Sequence, residues 1–161
     1  MILNGWLKNT TDMETNFNFK SQIATSRSQS ERLLALGLKK ETADMCSVID
    51  LVSDNGKTIE EVDTIFAFTP NDWEDFGRHV TPRWSLHRLI EMMPEEIDAY
   101  PINSDDDVKE TYYLSFNKWL VNYKCDNVYK ECHGSINLFS NIISMYEWLI
   151  KEGYFNKEYL A

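Results

Sequence analysis

Residues 112–124 carry the alternating pattern that most restricts the fold of this chain. The pattern predicts a β-hairpin that turns at Asn117-Lys118 and gathers the large side chains of both strands on one face. The predicted pairs on that face are Phe116 with Trp119, Leu114 with Val121, and Tyr112 with Tyr123. A sheet with one apolar face needs helices to cover that face.

The chain contains three more candidate strands. A turn at Asp126-Asn127 predicts a third strand over 128–133, which would place Cys132 beside Val121. Two further strands are expected near 46–52 and 63–68, on either side of a turn signal at 54–56. Residues 58–68 also contain a helix-like stretch at 60–62, so the start of the second of these strands stays open.

Three helices are expected, near 27–36, 86–93 and 137–152. The clearest signal is at 84–94, where Ser85 is a natural N-cap and Pro94 disfavours continuation of the helix. Trp84 and Leu89 take the two positions of a hydrophobic staple.

The helix near 27–36 has Ser26 and Gln29 at capping-box spacing and Gly37 as its stop. The last helix carries an apolar stripe at helical spacing and has Gly153 as a C-terminal stop. Together these elements predict an α+β fold, in which a small antiparallel sheet is covered on one face by helices. The predicted central core consists of Phe116, Trp119, Leu89, Ile90, Ile142 and Tyr146.

The chain has 161 residues. We expect residues 15–161 to form a single α+β domain and residues 1–14 to be a loosely ordered N-terminal extension. The chain has 26 acidic and 16 Lys or Arg residues, which gives a formal net charge of −10. This balance argues against direct nucleic-acid binding and against an anionic membrane surface. It is compatible with a basic partner, with imitation of nucleic acid, or simply with solubility.

The three cysteines and the lack of an apolar leader predict a cytoplasmic protein with reduced thiols. Cys125, Cys132 and His133 have a C-x6-C-H spacing that fits no zinc pattern, so no metal or other cofactor is expected. The oligomeric state cannot be read from the sequence.

No catalytic motif is present, and no catalytic residue is assigned. A small polar cluster of Asp75, Arg78 and His79 could build a site, although a loop histidine usually has only structural hydrogen bonds. Cys132 with His133 is the other pair that could support chemistry. Trp148, Tyr154 and Phe155 either cover an edge of the core, the favoured role, or meet a partner protein.

Several segments resemble a family of small proteins from phages and integrated or conjugative elements of gut Bacteroidota, for which no activity is assigned. The segments that carry the resemblance are Thr15 to Phe19, Glu31 to Leu38, Glu41 to Met45, Thr81 to Leu86, the strand pair from Tyr112 to Tyr123, and Glu147 to Ile150. The resemblance spans about residues 15–155 and transfers no functional residue. It implies that Met13 is the usual start and that 61–78 contains an insertion.

The predicted function is therefore an accessory protein of a phage or mobile element, acting as a non-enzymatic module that binds an unidentified protein partner. One alternative is an acidic inhibitor or DNA mimic directed at a host defence protein. Another is a small-molecule binder or enzyme with a site near Asp75, Arg78 and His79.

Overall fold

The computed structural model describes residues 21–54, 57–67, 69, 80–102 and 108–161. The predicted α+β class is confirmed, since helices and antiparallel strands are both present. The helices are α1 (Arg27–Ala35), α2 (Leu86–Met92) and α3 (Leu138–Glu152). The strands are β1 (Met45–Asp54), β2 (Lys57–Phe66), β3 (Val80–Arg83), β4 (Glu96–Ala99), β5 (Glu110–Phe116), β6 (Val121–Lys124) and β7 (Val128–Cys132).

The strands divide into two antiparallel sheets, whereas the sequence analysis placed them in one. The first sheet has the order β2-β1-β3 and the second has the order β4-β5-β6-β7. β1 pairs with β2 on one side and with β3 on the other, while β5 pairs with β4 and β6. Because both edges of β1 and of β5 are occupied, these two strands cannot join each other. The short strands β3 and β4 were not predicted.

Helix α1 begins and ends as its sequence predicts. Ser26 and Gln29 form the capping box: the Ser26 hydroxyl accepts from the Gln29 N–H at 3.3 Å, and the Gln29 side chain accepts from the Ser26 N–H at 2.9 Å. Gly37 follows the helix with φ +94°, a conformation that glycine adopts without a steric penalty.

Helix α2 also has the predicted cap, and its neighbour Trp84 is completely buried. The Ser85 hydroxyl accepts from the Arg88 N–H at 3.1 Å. Trp84 and Leu89 belong to the same buried core, and the Trp84 indole N–H donates to the Thr42 hydroxyl at 3.0 Å. The indole is therefore buried without leaving its polar N–H unpaired.

The β5–β6 hairpin has a register two residues away from the predicted one. Phe116 pairs with Val121, so the connection is a four-residue loop over 117–120. A shift of two residues keeps the same side chains on the same face. Tyr112, Val121 and Tyr123 are accordingly buried, as the alternation predicts.

The predicted core is right for its helical members and wrong for the hairpin tip. Leu89, Ile142 and Tyr146 are fully buried, and Ile90 packs at the edge of the core. Phe116 and Trp119 are each 49% exposed, so neither belongs to the buried core.

Helix α3 packs against β6, β7 and the other two helices. Its N-cap is Asn137, and it ends at Gly153, which has φ +80°. The C-terminal residues then contact the segment that follows α1: the Lys39 N–H donates to the Tyr159 carbonyl at 2.9 Å, and the Ala161 N–H donates to the Gly37 carbonyl at 2.8 Å. None of the helices in the described ranges is long and apolar enough to cross a membrane.

Candidate functional site

The polar cluster predicted from the sequence, Asp75, Arg78 and His79, lies outside the residues that the structure describes. Its proposed role stays a prediction.

The three aromatic residues singled out near the C-terminus belong to a network of ring contacts. The Trp148 ring lies 5.5 Å from the Tyr154 ring and 6.0 Å from the Tyr129 ring, centroid to centroid. Phe155 is buried, with its centroid 4.9 Å from that of Tyr146. These contacts match a packing role at the core edge. The role of these residues toward a partner stays a prediction.

Cys132 and His133 line one open groove of about 520 Å³ between β7 and the first half of α3. The predicted pairing of Cys132 with Val121 is confirmed. Glu131 orients the His133 ring through an Oε1–Nδ1 contact of 2.8 Å. Burial raises the pKa of the Cys132 thiol, so the sulfur stays protonated at neutral pH and is a weak nucleophile.

The same groove shows no metal-binding arrangement. No group of three or more His, Cys, Asp or Glu side chains suited to a metal ion occurs in the described part of the chain. Arg32, which also lines the groove, is paired through its Nε with Glu147 Oε1 at 2.6 Å. The described residues of this groove can therefore donate and accept hydrogen bonds.

A more distinctive feature lies at the tip of the β5–β6 hairpin. We define the tip surface as Ile23, Phe116, Lys118, Trp119 and Ile136. Its four apolar members are 49–87% exposed, with Ile136 the most exposed. Large apolar side chains exposed on neighbouring segments typically mark interaction sites.

Asn117 determines the shape of the hairpin loop. Its side-chain oxygen accepts from the Trp119 N–H at 3.0 Å and from the Leu120 N–H at 3.1 Å. Its own N–H donates to the Leu120 carbonyl at 2.9 Å. These three hydrogen bonds hold the loop in one conformation with Trp119 half exposed.

Asn141 ties the hairpin loop to the segment that carries Ile136. Its amide donates to the Trp119 carbonyl at 2.5 Å and to the Ser135 carbonyl at 2.7 Å, and its oxygen accepts from the Ser135 N–H at 3.0 Å. The side chain is almost completely buried. Trp119 and Ile136 therefore lie on two segments that the Asn141 side chain joins.

A groove of about 420 Å³ adjoins this surface and shares Lys118 and Ile136 with it. The residues that line it include the apolar side chains of Leu86, Ile136, Leu138 and Phe139 and the polar side chains of Gln22 and Lys118. Lys118 is the one ionisable residue among the described residues that line it. Its ammonium nitrogen lies 4.3 Å from the centre of the Trp119 ring.

The sequence analysis missed this surface because it assigned Phe116 and Trp119 to the core. Alternation identifies the face of a sheet on which a residue lies, but it does not show where the covering helices end. Asn117 was the available signal: an Asn side chain can bond to the backbone two and three residues ahead, which favours a longer loop.

Comparisons of the chain with protein-family models, with curated proteins and with solved structures give no match.

Proposed function

We propose that this chain is a non-enzymatic protein-binding module, an accessory protein of a phage or other mobile element, whose partner docks on the tip surface. The observation that carries the proposal is the exposure of Phe116 and Trp119 at a hairpin loop that Asn141 joins to the segment carrying the exposed Ile136. The resemblance of the sequence to mobile-element proteins supports the biological setting.

The tip surface has the composition of a binding hot spot. Aromatic side chains contribute a disproportionate share of binding energy, since they bury a large area and lose little conformational entropy. Asn117 and Asn141 already hold the loop, so little further ordering is needed when a partner binds.

The charge of the groove indicates the chemistry of the partner. The chain is strongly acidic, with 26 Asp and Glu, yet none of the described residues that line this groove is a carboxylate. Lys118 therefore favours an acidic group on the partner, while Trp119 and Ile136 favour an apolar one. We infer that the partner presents a segment in which an apolar anchor side chain lies beside an Asp or Glu.

Selection from a random peptide display library against the purified chain tests this inference. We expect enrichment of peptides that combine an apolar or aromatic residue with an acidic neighbour. Trp119→Ala should weaken their binding about tenfold or more (~1.4 kcal/mol). Lys118→Glu should also weaken it, and replacing the acidic residue of the peptide with Lys should restore binding to that variant.

Tyr113→Ala is the matched control, because Tyr113 is 55% exposed on the same strand as Phe116. It should leave peptide binding unchanged. The proposal is wrong if no peptides are enriched, or if the enriched peptides bind equally well to Trp119→Ala. Sedimentation showing a dimer that Trp119→Ala dissociates would instead assign the surface to a second copy of the chain.

A further inference from the structure

We propose a second binding site, at the opposite end of β5 from the tip surface, which accepts an organic cation of the alkylammonium or guanidinium type. The site is a pocket of about 330 Å³ lined by Ile102, Glu110, Tyr112, Asn127, Val128 and Tyr129, together with Pro101. Glu110 begins β5 and Phe116 ends it, so the pocket and the tip surface are separate.

Glu110 is the acidic residue among the described residues that line this pocket. Its Oε2 accepts from the Tyr112 hydroxyl at 3.1 Å and from the Cys125 thiol at 3.5 Å, and both donors are neutral. Within the described ranges, Glu110 has no ion pair, and its other oxygen, Oε1, accepts no hydrogen bond. That oxygen is free to accept from a cationic N–H.

Lys109 is the nearest basic residue in sequence, but its side chain is directed elsewhere. Its ammonium nitrogen lies 5.5 Å from the centre of the Tyr100 ring. Among the residues that the structure describes, no basic side chain forms an ion pair with the carboxylate of Glu110.

The half-buried Tyr129 ring lines the pocket beside the carboxylate and packs against the buried Tyr112 ring. The Tyr112 and Tyr129 centroids are 4.6 Å apart, and the planes are inclined by 33°. Burial, with a smaller contribution from the hydrogen bond to Glu110, raises the pKa of Tyr112 to about 12. The hydroxyl therefore stays protonated and keeps donating to the carboxylate at neutral pH.

A carboxylate beside tyrosine rings is a favourable setting for an organic cation. The carboxylate supplies a charge-assisted hydrogen bond, and the accessible part of the Tyr129 ring attracts positive charge. Ile102 and Val128, both largely exposed at the pocket, add apolar surface for the carbon chain of the ligand. The net charge of −10 further raises the local concentration of cations.

NMR titration of the full chain tests the site with tetramethylammonium, spermidine, Nα-acetyl-lysine amide and Nα-acetyl-arginine amide. We expect saturable shifts at Tyr129 and Asn127, and no such shifts with the neutral analogue Nα-acetyl-citrulline amide. Binding of tetramethylammonium or spermidine would identify a small-molecule cation. Binding confined to the capped amino acids would identify a basic side chain of a partner protein.

Glu110→Gln should lower the affinity for the cations at least fivefold, while the spectrum stays that of a folded chain. Tyr129→Leu, which keeps apolar volume but removes the ring, should also weaken binding. Glu96→Gln is the matched control, since Glu96 is an exposed carboxylate on the neighbouring strand. Absence of saturable shifts, or equal affinity of the wild-type chain and Glu110→Gln, would overturn the assignment.

Discussion

Arg83 is the most unusual residue in the described structure, because its charged side chain is completely buried. Its Nε donates to the Ser47 hydroxyl at 2.8 Å and its Nη1 donates to the Thr25 carbonyl at 3.2 Å. Its Nη2 is paired with Asp63, which is partly exposed. The guanidinium thus connects β3, β1, β2 and the segment before α1.

Arg83→Ala should lower the free energy of unfolding by about 2–4 kcal/mol, because buried hydrogen-bond partners are left unpaired. Urea denaturation followed by circular dichroism measures the change. Arg27→Ala is the control: Arg27 forms an exposed pair with Glu31, and its loss should cost less than about 0.5 kcal/mol. Equal effects of the two substitutions would contradict the structural role of Arg83.

At the scale of elements, the helix ends were the most predictable feature. Ser26, Ser85 and Gly37 act as the sequence predicts, since a cap is a local interaction within three or four residues. The hairpin register was less predictable. The predicted and the observed registers differ by two residues and place the same side chains on the same face of the sheet. The choice between them therefore depends on the loop hydrogen bonds of Asn117.

Gly153 and Gly134 offer a matched pair of substitutions around α3. Neither position has an atom within 4 Å of an added Cβ, but Gly153 has φ +80°, whereas Gly134 is not in the left-handed region. Gly153→Ala should therefore destabilise the chain by about 1 kcal/mol, because an L side chain is strained in that conformation. Gly134→Ala should be neutral or slightly stabilising.

Thermal and urea unfolding of both glycine variants provide the measurement. If Gly134→Ala lowers the stability as much as Gly153→Ala does, the left-handed backbone conformation of Gly153 is not the cause of the destabilisation.

At the scale of the whole molecule, the helices and the four-stranded sheet enclose a core rich in tyrosine. The Tyr146 hydroxyl donates to the Leu89 carbonyl at 2.7 Å, and the Tyr123 hydroxyl donates to the Pro94 carbonyl at 2.6 Å. Burial raises the pKa of both phenols well above the usual value of about 10. Burial also raises the pKa values of Tyr112 and Tyr154 to about 12.

These shifts predict a loss of stability at alkaline pH. The folded chain holds the phenolic protons more tightly than the unfolded chain, so the stabilisation is fully present below about pH 10. It is lost as the pH rises through the folded-state pKa values. Phenolate absorbance should therefore increase together with loss of the near-ultraviolet circular dichroism signal, and Tyr112→Phe should make the loss less steep.

Titration of every tyrosine near pH 10 in a chain that keeps its circular dichroism signal would contradict this prediction.

The sequence by itself determined the α+β class, the helix caps, the strands around each turn and the faces on which their side chains lie. These are local properties, set by periodicity and by hydrogen bonds between near neighbours. Only the tertiary structure decided that the strands divide into two sheets, that Arg83 is buried, and that Phe116 and Trp119 are half exposed. Those outcomes depend on which segments, distant in sequence, pack together. Whether a residue is buried depends on the helices and strands that cover it as well as on its own side chain.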